Sequence, residues 1–143
     1  MKKKIKVGLI AMTAILAFCF IPPTTAKAND SDIALIWNYI TSISGNLSIS
    51  NGGTATVTGR GTAVETSVTK VSVHVSLQKY KSNRWTEIKS WSNTANGKTA
   101  SIGTKNYAVA HGYSYRCVVT TKAYKGNSVL ETGSKTINHG YFG

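Results

Sequence analysis

From Val71 to Leu77 the chain alternates strictly, with apolar Val71, Val73, Val75 and Leu77 separated by polar Ser72, His74 and Ser76. Successive side chains on a strand point to opposite faces, so this pattern predicts a half-buried strand with one wet face. The period returns from Tyr113 to Ala123, with Tyr113, Tyr115, Cys117, Val119 and Ala123 on one side and Ser114, Arg116, Thr120 and Lys122 on the other. Two such strands make a sheet whose apolar face must be covered by a second layer.

The rest of the chain supplies further short strands. Leu47 and Ile49 alternate with serines, Asn51-Gly52-Gly53 accepts positive φ, and Ala55 and Val57 alternate with threonines, which together predict a hairpin. Gly59, Gly61 and the polar residues up to Thr66 are expected to form a connection crossing between sheets. Lys79 to Arg84 predicts a turn, and Trp85 to Trp91 a returning strand. Strict alternation would place Trp85 and Trp91 opposite Ile88, so burying all three requires a bulge or twist. Asn93 to Gly97 predicts another turn, followed by a weak strand at Thr99 to Ile102 and a loop to Gly112. Gly126-Asn127 predicts the turn into a last strand, from Ser128 to about Ile137. The segment from Asp32 to Ile43 is two-sided: Ile33, Ile36, Trp37 and Ile40 have helical spacing, whereas Leu35, Trp37 and Tyr39 alternate and Ile40 to Ile43 is β-branched. A short helical turn or irregular lead-in is expected there, with Trp37 packed over an end of the core.

About seven strands with Gly and Asn turns predict an all-β fold, an immunoglobulin-like antiparallel β-sandwich. The Tyr113-Ser114-Tyr115-Arg116 segment, at the start of a penultimate strand, has the form of a tyrosine corner, in which a Tyr hydroxyl bonds to backbone a few residues upstream. Tyr113 and Tyr115 are both candidates for it.

Ahead of the domain stand Lys2, Lys3, Lys4 and Lys6, an apolar run from Val7 to Ile21, Pro22-Pro23, and Ala26-Lys27-Ala28. These are the charged, apolar and small-residue regions of a secretory signal peptide. The apolar run is shorter than the ~20 residues that a spanning helix needs. Cleavage is expected after Ala28, so residues 1–28 are assigned as a signal-peptide helix, 29–45 as a lead-in and 46–143 as the sandwich. Lipidation at Cys19 is disfavoured by the bulky Phe18 before it. The C-terminal residues carry no apolar tail and no LPxTG-type signal, so a secreted, extracellular product is expected, either free or held loosely on the cell wall.

The full chain has 17 Lys and Arg against 5 Asp and Glu, a net charge of +12. Five lysines leave with the leader, which leaves 12 cations, the same 5 acids and a net +7. Such a surface steers anionic partners toward it. Cys117 would be the one cysteine left, excluding an internal disulfide, and its apolar-side position predicts a buried small hydrophobe.

Leu47-Ser48-Ile49-Ser50-Asn51-Gly52-Gly53-Thr54-Ala55-Thr56, Val75-Ser76-Leu77-Gln78-Lys79, Trp85-Thr86-Glu87-Ile88-Lys89-Ser90-Trp91-Ser92 and Gly112-Tyr113-Ser114-Tyr115-Arg116 carry a resemblance. Over Asn46 to Ile137 the chain resembles a group of small exported proteins of Gram-positive bacteria known only as domains of unknown function. The resemblance implies a secreted β-sandwich and brings no activity or site residues with it. A looser similarity to fibronectin type III domains implies a binding or spacer module by analogy.

No catalytic, cofactor or metal motif stands out. His74, His111 and His139 lie in different segments, and Glu65, Glu87 and Glu131 read as solvated surface charges. Ser67 to Lys70 and Ser76 to Lys79 match a Ser-x-x-Lys spacing that serves acyl-serine enzymes on a helix; on a strand, residues three apart face opposite ways. Cys117 and His111 suggest a thiol nucleophile only if the thiol is accessible, and the buried face disfavours the thiolate. A non-catalytic role is therefore expected.

The outward positions of the two long strands form the candidate binding face: Lys70, His74, Gln78 and Tyr80 on the first, Arg116, Val118, Lys122 and Tyr124 on the second, joined at the edge by Lys81, Arg84 and Trp85. Cations interleaved with aromatics suit sugars and anionic polymers. The expected partner is an anionic cell-wall polymer or glycan. No nucleic-acid-binding motif is present, no membrane anchor remains after cleavage, and a monomer is expected. Two alternatives stand beside this: an antimicrobial or toxin-like protein whose Tyr141-Phe142 tail enters a membrane interface, and a structural surface or matrix protein that associates through an exposed edge strand.

Overall fold

The computed structural model describes residues 37–64 and 66–143; the expectations for the signal-peptide helix, for residues 29–36 and for Glu65 lie outside the described residues. Seven strands follow in order: β1 (Ile40–Ile49), β2 (Thr54–Ala63), β3 (Lys70–Lys81), β4 (Arg84–Asn96), β5 (Thr99–Ala108), β6 (Tyr113–Lys125) and β7 (Ser128–Phe142). They form two antiparallel sheets, β1-β2-β5 and β4-β3-β6-β7, packed as an immunoglobulin-like sandwich.

The period-two pattern places the core. Val71, Val73, Val75 and Leu77 of β3 are fully buried and pair with Ala123, Thr121, Val119 and Cys117 of β6, also fully buried. Ile43, Leu47, Ala55, Val57, Ala100 and Ile102 close over them from the other sheet. Each such Val or Leu is worth about 1.5–3 kcal/mol when fully buried, so these facing rows are what hold the layers together.

Several expectations drawn from local pattern need correction. Gly59 and Gly61 are not connection residues: they are buried, inward-facing positions of β2. A Cβ on Gly59 would collide with Val75 Cγ2, and one on Gly61 with the Thr121 side chain. Gly45 of β1 does the same against Val119, where a Cβ would stand 2.7 Å from Cγ2. Glycine inside a strand marks close backbone approach, and here it lets the three-stranded sheet settle onto the valines of its partner. The crossing itself falls between Ala63, the end of β2, and Lys70, the start of β3.

The lead-in is shorter than expected, because the β-branched run from Ile40 is extended and begins β1. Trp37 packs against the core, as its spacing suggested. Glu131 is a second correction, since it is half-buried and accepts backbone N–H bonds from Asn38, Tyr39 and Ile40 at 2.8, 2.9 and 2.6 Å. Burial pushes its carboxyl up, but the three N–H bonds outweigh that and leave it below the usual carboxylate range. The start of β1 is thereby tied to β7.

Several strands run further than their sequence suggested. β3 and β4 close down to a two-residue Ser82-Asn83 turn where Lys79 to Arg84 was expected, and β4 continues to Asn96 along β3, through the turn expected from Asn93. β5 continues to Ala108 instead of ending at Ile102, held by its ladder to β2, and β7 continues to Phe142 along β6. Phe142 is buried and stacks on His111 with ring centroids 4.1 Å apart, while His139 meets its edge at 6.3 Å. The Tyr141-Phe142 tail is therefore split: Tyr141 faces solvent and Phe142 closes one end of the core.

The Tyr115 hydroxyl donates to the Ala110 carbonyl at 2.7 Å and forms the tyrosine corner. Tyr113 instead lies under the Lys79 ammonium, 4.4 Å from its ring centroid.

Candidate binding face on the four-stranded sheet

The outer face of β3 and β6 is set by their register. Lys70 pairs with Tyr124, Ser72 with Lys122, His74 with Thr120, Gln78 with Arg116 and Tyr80 with Ser114, so the outward residues predicted on the two strands are neighbours. β4 lies along the other side of β3 and adds Trp85 opposite Tyr80, Glu87 opposite Gln78 and Ser92 opposite His74.

A bulge decides what β4 shows. Leu77 pairs with Lys89 and Gln78 with Glu87, so Ile88 is the additional residue. An inserted residue resets the period, and Trp85 and Trp91 consequently face opposite ways. Ile88 and Trp91 pack against the core, and Trp85 stays on the outer face.

At one end of the face the Arg116 guanidinium lies 4.3 Å over the Trp85 ring, and its Nε donates to Gln78 Oε1 at 2.8 Å. Tyr80 leans on Trp85 with centroids 5.2 Å apart. The guanidinium is thus held by both Trp85 and Gln78, and the Tyr80 and Trp85 rings touch at a tilt of 55°. At the opposite end Lys70 sits 4.9 Å from the Tyr124 centroid. There Ser72, His74, Ser92, Thr94, Thr120, Lys122 and Tyr124 surround a shallow depression of about 400 Å³.

A polar chain joins the two ends. Gln78 Nε2 donates to Ser76 Oγ at 3.3 Å, and Ser76 Oγ donates to Glu87 Oε2 at 2.6 Å. His74 places Nε2 3.8 Å from the same carboxylate oxygen and Nδ1 2.7 Å from Ser92 Oγ. The hydroxyls of Ser76 and then Ser90 are the main reason the Glu87 carboxyl lies below its usual range, with His74 adding a smaller pull. Glu87 is thus an exposed surface charge, as its sequence surroundings suggested, and one anchored by these hydrogen bonds.

Ser92, His74 and Glu87 have the residue types of a hydrolytic triad, but β3 is hydrogen-bonded on both sides. Its N–H groups are engaged in the ladders to β4 and β6, and the three side chains stand on an open face of the sheet.

Seven of the nine predicted site residues share this face: Lys70, His74, Tyr80, Trp85, Arg116, Lys122 and Tyr124. Lys81 and Arg84 do not. They pair with each other one step beyond Tyr80 and Trp85, across the two-residue Ser82-Asn83 turn, and period two turns them to the reverse side with Lys79, Thr86 and Ile88. Sequence reasoning missed Glu87 and Ser92 as members of the face. The triplet spacing of Trp85, Ile88 and Trp91 was the signal for the bulge that brings them there.

Cys117 is fully buried, and burial pushes its thiol up to about 11. Ser76 and Lys79, three apart, do face opposite ways: Ser76 bonds Glu87 outside, and Lys79 covers Tyr113. Among the described residues no three His, Cys, Asp or Glu side chains gather into a metal-binding group. No protein-family model matches the chain, and no curated protein matches it.

Proposed function

We propose that this domain is a secreted, non-catalytic binding module of the small exported Gram-positive kind it resembles, and that the outer face of its four-stranded sheet engages an anionic or carbohydrate surface of the cell wall. The observation that carries the reading is the Arg116–Trp85–Tyr80 stack on the same face as Lys70, Lys122 and Tyr124. A cation packed on an aromatic ring beside open hydroxyls offers sugars a flat apolar surface and anions a fixed charge. The tyrosine corner at Tyr115 supports the comparison with fibronectin type III-like modules, and the leader pattern at residues 1–28 supports export.

The test is retention on purified Gram-positive cell walls. The protein is expected to bind, to elute with salt, and to lose retention in the Arg116→Glu, Lys122→Glu double variant while its thermal melt stays cooperative. Undiminished retention of that folded variant would remove this face from consideration.

A further inference from the structure

The face is not uniformly basic along its length. Lys122 with Lys70 marks one end and the Arg116–Trp85 stack the other. On β3 these levels are Ser72, opposite Lys122, and Gln78, opposite Arg116. Six residues of strand at about 3.3 Å each separate them by roughly 20 Å. In that interval stands the Glu87 carboxylate, fixed by Ser76 at 2.6 Å. Positive charge therefore occupies both ends, and the Glu87 carboxylate stands between them, reaching from opposite Gln78 back to Ser76 and so nearer the Arg116 end.

This order discriminates among polyanions. A nucleic-acid strand carries one phosphate on every nucleotide, so crossing the interval would press several phosphates toward Glu87. Like charges brought together oppose binding and act against the wrong partner. A chain with widely spaced carboxylates and neutral sugars between them brings fewer charges into the interval and meets less repulsion. Its hydroxyls can donate to Glu87, its carboxylate can reach Lys122, and a sugar ring can lie on Trp85.

We propose, building on the binding-module reading above, that the ligand is an acidic polysaccharide of sparse charge, held at two subsites: a carboxylate at Lys122 and Lys70, and a sugar ring on Trp85 and Arg116. Two subsites on one sheet make the second contact intramolecular once the ligand spans both, so affinity rises in a step with ligand length.

The experiment titrates the purified protein with hyaluronan fragments of graded length, which carry one carboxylate per disaccharide, and with oligothymidylates of matched total charge. Tryptophan fluorescence and calorimetry read the binding. Expected is a gain of about 100-fold or more when fragments become long enough to bridge the subsites. Lys122→Ser and Trp85→Ala, each checked for an intact melt, should both drop long fragments to the affinity of short ones. Oligothymidylate should bind more weakly than hyaluronan and gain several-fold in Glu87→Gln. Affinity that climbs smoothly with length, or that survives either substitution, overturns the two-subsite arrangement. Oligothymidylate binding as tight as hyaluronan overturns the polysaccharide assignment. Failure of all fragments to bind overturns this inference alone if wall retention persists, and the binding-module reading with it if retention is lost as well.

Discussion

The Glu131 carboxylate of β7 accepts the Ile40 backbone N–H at 2.6 Å, and takes the N–H groups of Asn38 and Tyr39 as well. Asn38 and Tyr39 precede β1 and its ladder to β2, so a single side chain satisfies donors that would otherwise be left to water. Charged acceptors make the stronger hydrogen bonds, and the half-exposed setting reduces their net worth.

Replacing this residue should therefore show in both stability and its pH dependence. Glu131→Gln is expected to cost about 1–2 kcal/mol at neutral pH, read from the urea midpoint at unchanged slope. The carboxyl is depressed in the folded state, so its contribution is complete above the ordinary carboxyl value of about 4.3 and is lost as pH falls through the lower folded value. The wild-type advantage over Glu131→Gln should shrink across that acid window. A constant difference from neutral to strongly acidic pH would show that the charge contributes nothing.

Tyr115 and Tyr113 are two residues apart and separate cleanly. Tyr115→Phe removes the 2.7 Å bond to the Ala110 carbonyl from a fully buried ring and should cost about 1 kcal/mol, since the exposed Ala110 can turn to water. Tyr113→Phe keeps the ring under Lys79 and should change the midpoint by less than about 0.5 kcal/mol. Equal effects from the two would dissolve the tyrosine corner as a stabilising feature.

Gly59 tests how closely the sheets approach. Gly59→Ala drives a methyl into Val75 and should destabilise by about 1–3 kcal/mol, whereas Gly103→Ala, with open space at its Cβ, should stay within about 0.5 kcal/mol. Adding Val75→Ala to Gly59→Ala should recover part of the loss, a coupling that two independent sites would not show. Strict additivity in that cycle would mean the two positions do not touch.

What the chain dictated locally was read without a structure. Val71 to Leu77 and Tyr113 to Ala123 carry the period of a half-buried strand in their own order of residues, and Asn51-Gly52-Gly53 and Gly126-Asn127 carry the backbone freedom their turns need. These signals are complete within a few residues, because side-chain alternation and φ preference belong to the strand and turn themselves. The cations and aromatics of the outer face followed from the same alternation, which is why Lys70, His74, Arg116, Lys122 and Tyr124 were legible together.

Other features depended on what lies across the fold. Gly59 and Gly61 have turn-like composition, and only the presence of Val75 and Thr121 opposite them makes them strand residues. The phase of β4 changes at Ile88, which moves Glu87 and Ser92 onto the face, and a phase change has no counterpart in composition. Glu131 looks like any surface acid until the N–H groups of residues more than ninety positions earlier are set before it. Alternation determined which residues face the core, while pairing between distant strands decided which of them meet. Contacts of that kind exist only once the two sheets have closed on each other.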